Sequence, residues 1–382
     1  MFRNFVLISA EESREIYSFE KDKDPQGFLW QSEGFSDSRK QFRNSRTVNY
    51  HSFSNTMQPL DLQSNIVNES CDFFSFKKNH VLPCDFGHFQ LRNNVKVINQ
   101  EVFTKIKFNT IIKYSPLTKK KEIICLPSFP SVSFDILDDF LIVGGMDGEL
   151  LLTTLSNEEK FNYKISLEHS RICNSVKLFN EGPIRILASN NDCHLRIIDP
   201  ETKENLTDIE CSNCVNHSSI SKDFNQIAAC LDSINDYVFD RRTGTACAEL
   251  KGHSDFGFCV DWNPFKDYEL ATGNQDKSVM IWDLRKGTEP TLILKGTLGS
   301  VFYLKYSTNG KYLACAESVD FLNIYDTGNI KERQVLDFFG EISGFGYDET
   351  DSQNLSLFLG IADRNYGSII ELHENSQPSI LI

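Results

Sequence analysis

Short runs of alternating apolar and polar residues recur along most of this chain, each closed by a turn signal. The clearest lies between Gly252 and Asp283. Val260 and Trp262 alternate into the turn Asn263-Pro264, Leu270–Thr272 follows, a polar turn ends at Asp276, and Val279–Trp282 alternates into Asp283. Period-two alternation between turn residues predicts short antiparallel strands. The same template slides along the sequence. It places Asp147 and Thr153, then His169, Asp192 and Ile198, where the first unit has its own turn, histidine and tryptophan. Phe239-Asp240, Tyr325-Asp326 and Leu372 close further units, and the stretch from His88 to Pro116 supplies one more set.

A segment that opens with Gly-His and closes with Trp-Asp, inside an array of this period, resembles a WD40 β-propeller. Phe86 to Ile382 is 297 residues, room for about seven units of roughly 40–45 residues. The expectation is therefore an all-β, seven-bladed WD40 propeller over residues 86–382. Residues 1–85, with the polar stretches KDKDPQ and QSEGFSDSRKQFRNSR, are expected as a partly disordered or loosely docked extension, with Phe28, Trp30 and Phe53 as docking side chains. Closing a ring of sheets protects their edges, and His88–Leu91 is the expected closing strand. His253, Thr272, Asp276 and Trp282 match the family's buried hydrogen-bond tetrad. An indole N–H, a hydroxyl, an imidazole and a carboxylate need one another when buried, because each unpaired group costs about 1–3 kcal/mol. Other units lack most of this set and should rely on apolar packing. GHSDFGF with ATGNQD, FGEISGFGYD, GIADRNYGS, HFQLRN and RNSRTV together resemble a family of fungal WD-repeat proteins with plant relatives, which implies the fold and no particular activity.

Composition narrows the function classes. No run approaches the roughly 18 apolar residues of a membrane span, and the apolar stretch Phe5–Ala10 is shorter than a secretory core of about 7–15 residues, so the start reads as a mature N-terminus. Eleven scattered cysteines argue against a secreted disulfide framework and for the cytoplasm or nucleus. A net charge of −14 repels phosphate backbones and anionic lipid, so neither nucleic acid nor membrane is an expected partner. The basic run Lys119–Lys121 reads as a solvated turn. Cys211, Cys214 and His217 form half a zinc site without a second pair, so no metal and no cofactor is expected. Arg241-Arg242 falls in an ordinary inter-strand turn. No nucleophile elbow, phosphate loop or HExxH motif is present, and the chain reads as a non-enzyme.

Binding residues are sought on the rim formed by the loops between units. Phe256, Phe258 and Gln275 come from the clearest unit, Phe302, Glu341, Asp363, Arg364 and Tyr366 from the next two, and Ser300, Asn174 and Asn191 lie at the same level. Aromatic residues and arginine on a rim are the types that anchor interfaces, and the competing assignment for some of them is a plug in the central channel. Trp282-Asp283-Leu284-Arg285 resembles the motif by which some propellers join cullin-4 ubiquitin ligases, with Arg285 as the adaptor contact. The function expected is a non-catalytic scaffold, a monomeric propeller within a complex that binds protein or peptide partners. Its alternatives are a ubiquitin-ligase substrate receptor and an enzyme with a site in the central channel.

Overall fold

The alternating runs become strands of mostly four to eight residues joined by tight turns. The computed structural model describes residues 24, 26, 38–56, 65, 67–69, 71–107, 109–166, 171–348, 350, 355–363 and 367–375. A helix, α1 (Arg39–Asn49), and a strand, β1 (Phe74–His80), come first. Five four-stranded antiparallel sheets follow in chain order. They are β2–β5 (Val95–Ile98, Glu101–Lys105, Ile111–Tyr114, Lys121–Cys125), β6–β9 (Ser131–Leu137, Phe140–Gly145, Glu149–Thr154, Glu159–Lys164) and β10–β13 (Cys173–Asn180, Ile184–Asn190, His194–Ile198, Asn205–Glu210). Then come β14–β17 (Val215–Ile220, Gln226–Leu231, Asn235–Asp240, Ala246–Lys251) and β18–β21 (Gly257–Trp262, Glu269–Asn274, Ser278–Asp283, Leu292–Lys295).

The remaining strands are β22 (Val301–Tyr306), β23 (Tyr312–Glu317), β24 (Val319–Asp326), β25 (Arg333–Asp348), β26 (Ser356–Ala362) and β27 (Ser368–Glu374). With β1 they form one seven-stranded sheet, because β25 runs 16 residues and serves two neighbours. Arg333 to Asp337 pairs with β24, and Glu341 to Asp348 pairs with β26. Between the halves lies Gly340 at φ +140°, a conformation that side chains strongly disfavour.

The sheets pack face to face in succession. Phe103 and Ile111 meet Phe134 and Val143, Ile142 and Leu150 meet Val176 and Ile186, and Leu187 and Leu195 meet Val215 and Ile227. Val238 and Leu250 meet Val260 and Met280, and Ala271 and Val279 meet Leu304 and Leu313. The last cluster returns to the beginning, with Val95, Val102 and Ile112 against Phe358 and Ile369. Each side chain of this size fully buried contributes about 1.5–3 kcal/mol. This all-β arrangement is consistent with a β-propeller.

Polar bonds reinforce the apolar ones near the start of each sheet. Lys105 Nζ donates to Ser131 O at 2.7 Å, Ser133 Oγ to Cys173 O at 2.9 Å, Asn174 Nδ2 to Val215 O at 2.8 Å and Asn216 Nδ2 to Gly257 O at 2.9 Å. Each crosses from one sheet to the first strand of the next. Where the last sheet meets the first, the backbones come closer still. Asn94 N donates to Ser343 O at 2.9 Å, and a Cβ on Gly344 would lie 2.8 Å from Asn94 N. Gly344 also sits at φ +145°, which accounts physically for the glycines of FGEISGFGYD.

The closing strand is not the expected one. His88–Leu91 forms no strand. β1 pairs antiparallel with β27 from Phe74↔Glu374 to His80↔Ile369. Its sequence, FSFKKNH, has no clean alternation, because buried polar groups replace apolar ones. His80 is buried between Glu371 Oε2 at 2.7 Å and Tyr114 OH at 3.0 Å. Of the expected docking side chains, Phe28 and Trp30 lie outside the described residues, and Phe53 is 62% exposed. Phe74, by contrast, is 1% exposed inside the cluster around Tyr312 and Leu372. Phe74→Ala is therefore expected to cost about 3–5 kcal/mol in urea unfolding, and Phe53→Ala less than about 0.5 kcal/mol. Equal, small losses would show that β1 is not integral to the fold.

Candidate functional site

In the sheet β18–β21 the alternation of β19 and β20 turns Thr272 and Trp282 to the same face. Trp282 Nε1 donates to Thr272 Oγ1 at 2.8 Å, Thr272 Oγ1 lies 2.8 Å from His253 Nε2, and His253 Nδ1 lies 3.0 Å from Asp276 Oδ2. Asp276 also accepts from Ser254 N at 2.9 Å and from Ser278 Oγ at 2.6 Å. All four expected tetrad residues thus form one continuous chain of bonds. Burial works to lower the His253 pKa, but the Asp276 charge and hydrogen bond outweigh it and leave it above the ordinary value. Burial likewise works to raise Asp276, and the His253 charge and its hydrogen-bond donors hold it below the usual range.

The rim residues divide. Phe258 and Phe302 are buried and stack edge to face at 5.0 Å. They line the central channel and do not stand on an exposed surface, because both sit on first strands that converge there. Gln275 is also buried, and the chain itself occupies it: Nε2 donates to Phe53 O at 2.6 Å and to Ser300 Oγ. These three corrections share one cause, the inward direction of the innermost strands and a segment of the chain laid across the rim. Asn174 is buried as well, donating to Asn191 Oδ1 at 2.7 Å. Phe256 is half-buried, Glu341 and Asp363 are exposed, and Arg364 and Tyr366 lie outside the described residues.

The segment across the rim was the element that sequence reasoning missed. Ser38 and Gln41 form a reciprocal capping box at the start of α1, and Arg39, Arg43 and Arg46 recur at helical spacing on one side. Arg39 reaches Asp24 and Asp337 at 2.7 Å, Arg43 reaches Asp320 at 2.7 Å, and Arg46 also reaches Asp320. Arg43 lies over the Phe339 ring at 4.2 Å, and Phe42 meets the same ring at 5.0 Å. Beyond the helix, Tyr50 bonds Ser318, Ser52 bonds Ser300, and Ser54 and Asn55 bond Asp255. The capping box and the arginine spacing were the available signals.

Residues 244–283 match the family described as "WD domain, G-beta repeat". The chain thus carries a WD repeat. It is 26% identical over 212 residues to the GATOR2 complex protein WDR24 of Xenopus laevis, covering 51% of this chain and 27% of that protein. It is 30% identical over 152 residues to autophagy-related protein 16 of Arabidopsis thaliana, covering 38% of this chain and 29% of that protein. A shorter match, 46% over 65 residues, joins it to histone acetyltransferase type B subunit 2 of Neurospora crassa, covering 14% of this chain and 15% of that protein. The matched part thus spans about a quarter of the length of the WDR24 relatives.

At the opposite end of the sheets, Arg285 is 59% exposed but not free. Its Nη2 bonds Asp283 at 2.8 Å and its guanidinium lies 3.3 Å from the Tyr268 ring centre. Cys211 is buried in the core and Cys214 Sγ donates to Asn191 O at 3.1 Å. Among the described residues no group of three or more His, Cys, Asp and Glu is arranged to hold a metal, and no helix is long and apolar enough to cross a membrane.

The tetrad yields a pH-dependent prediction. Removing its acceptor, in Asp276→Ala, should cost about 1–3 kcal/mol. A raised His253 contributes stability that is full below its ordinary value of 6.5 and is lost as pH rises through its folded value. A depressed Asp276 contributes stability that is present above 3.8 and is lost as pH falls through its folded value. The stability gap between wild type and Asp276→Ala should therefore be widest between about pH 4 and 6.5 and shrink toward pH 9. Urea midpoints across that range check it, and a gap that widens with alkalinity would contradict the pairing.

Proposed function

We propose that this chain is a seven-bladed propeller acting as a non-catalytic interaction scaffold, with protein or peptide partners held at the end where the first strands begin. Five blades are the four-stranded sheets. The seven-stranded sheet supplies two more, which share β25. The observation that carries the binding assignment is that, among the described residues, that end is unevenly covered. Residues 50–56 lie across it at Asp255, Gln275, Ser300 and Ser318. The sector over the first two blades carries Phe89, 58% exposed, and Met146, 38% exposed. Exposed aromatic and methionine side chains are what a partner would bury. Glu341 and Asp363 stand exposed on the same end, and we assign them to the rim of this surface. Arg364 and Tyr366 are proposed with them from the sequence alone.

Several features support a scaffold over an enzyme. His217, the imidazole lining the channel, accepts Val260 N at Nδ1, so the general base of a channel site is already engaged. The names of two relatives, a GATOR2 complex protein and an acetyltransferase subunit, describe members of assemblies, which favours a propeller within a complex. The ligase-receptor alternative rests on Arg285, whose contacts with Asp283 and Tyr268 already use its guanidinium. Eleven free cysteines favour a reducing compartment, cytoplasm or nucleus.

The double variant Phe89→Asp with Met146→Asp should lose the partners captured by the wild type in affinity purification. Its stability should stay within about 0.5 kcal/mol, as exposed substitutions do. Arg285→Ala serves as the control at the opposite end and should keep them. Retention of every partner by the double variant would refute this surface, and selective loss of a ligase adaptor from Arg285→Ala would favour the alternative.

A further inference from the structure

The outer strands of the sheets differ in what they leave exposed. On β9, Lys160 and Lys164 are matched by Glu158 and Asp147. On β17, Lys251 is matched by Glu249. β13 exposes Leu206, but beside the carboxylates of Asp208 and Glu210. β21 and the start of β25 are covered by the chain itself. Asn65 N donates to Ile293 O at 2.9 Å, Asn68 N donates to Lys331 O at 2.7 Å, and Asn68 O accepts Arg333 N at 2.9 Å. The bridge Asn68↔Glu332 is parallel, so these outer edges accept an extended segment.

β5 ends its own sheet in the same way, and among the described residues nothing pairs with its outer side. Leu117, Ile123 and Leu126 stand exposed there, Ile123 to 67%. Lys119, Lys120 and Lys121 stand exposed between the first two, and among the described residues none of the three has a carboxylate in salt-bridge contact. The backbone phase is fixed by Ser115 N, which donates to Lys120 O at 3.0 Å, and by the register Tyr114↔Lys121, Lys113↔Glu122 and Ile112↔Ile123. Bonded and non-bonded pairs alternate in an antiparallel ladder. Lys120 and Glu122 therefore direct their backbone groups to β4, and Lys121 and Ile123 turn theirs outward. Two positions apart, Lys121 and Ile123 also share a face. Lysine on an edge discourages pairing between like copies, but it favours a strand that carries carboxylates.

We propose that β5 is a docking edge for an extended partner segment that alternates carboxylate and β-branched side chains. The segment adds as a further strand, its backbone meeting Lys121 and Ile123, its carboxylates the three lysines and its apolar side chains Ile123. In a chain of net charge −14, this basic and apolar edge is where an acidic partner meets local attraction. The edge is separate from the end surface of Phe89 and Met146, and the double variant that tests that surface leaves β5 intact, so the two readings fail separately.

The probe is a fluorescein-labelled octapeptide alternating glutamate and valine, read by fluorescence polarisation against the full chain at low ionic strength. Wild type should bind it saturably, with affinity falling as salt rises. Lys121→Glu with Ile123→Glu should weaken binding by at least about tenfold. Leu206→Glu, a like change on β13, should not. The substituted side chains are exposed, so melting temperatures should hold. A strand added to one edge uses alternate amides. Of two peptides N-methylated at the valines or at the glutamates, one should therefore fail and the other bind. Equal binding by the two would overturn the proposal, as would equal binding by the double variant. No saturable binding by wild type at millimolar peptide, or binding of a lysine–valine octapeptide as tight as that of the glutamate one, would also overturn it. A wild-type dimer in sedimentation that the double variant loses would assign the edge to a second copy of this chain instead.

Discussion

An open sheet edge presents a row of unpaired N–H and C=O groups, and this chain answers that demand by returning β1 to pair with β27. The rest of the molecule depends on that pairing, because it completes the sheet that must then meet β2–β5. His80 on β1 is the polar centre of the closure, between Glu371 on β27 and Tyr114 on β4. Burial works against the charge on Glu371, yet hydrogen bonds from His373 and His80 hold its carboxyl well below the ordinary range. A buried carboxylate of this kind is tolerable only while its donors stay in place. The glycines at 344 and 346 then let the two backbones approach.

The same N-terminal part of the chain takes on a second role before it becomes β1. Asn65 and Asn68 run beside the outer strands β21 and β25, bonding Ile293, Lys331 and Arg333. Gln334 accepts Phe73 N and Phe74 N at 3.0 and 2.8 Å. Upstream, Asp320 sits buried at φ +68° and receives Arg43, Arg46 and Gly340 N. A non-glycine residue in that conformation costs about 1–3 kcal/mol and persists where its surroundings over-determine it. Here two arginines of α1 and a backbone amide do so.

Legibility in the sequence followed the range of the interactions. The unit around Trp282 was readable because its tetrad residues lie within 30 positions of one another and each has a recognisable side chain. The other sheets were readable as alternation, since apolar faces pack against the next sheet. β1 was not, because its burial is secured by Glu371 and Tyr114, far away in sequence. The arginine stripe of α1 finds its partners about 280–300 residues further on, so local composition read as polar and turn-rich. Phe258 and Phe302 were read as rim-loop residues but lie inside β18 and β22, and Gln275 lies under the overlying segment, so strand boundaries and a distant part of the chain decide their exposure.

One last relation links the clearest repeat to the segment that crosses it. A carboxylate fixes the loop that enters several of the sheets: Asp147 takes Arg171, Asp276 takes Ser254 N, and Glu317 takes Thr297, Leu298 and Gly299 N at 2.6 Å each. Only the second of these carboxylates is itself anchored through an imidazole and a hydroxyl to a buried tryptophan. The loop it fixes carries the end of the crossing segment, since Thr56 bonds Ser254 O and Asn55 bonds Asp255. A side chain that must hold another part of the chain in register gains from a rigid base, because freedom left in the loop would be lost again on docking. The full tetrad therefore stands where the last residues of the crossing segment dock, while the loop before β22, which meets the same segment at Ser300, is held by the simpler cap of Glu317.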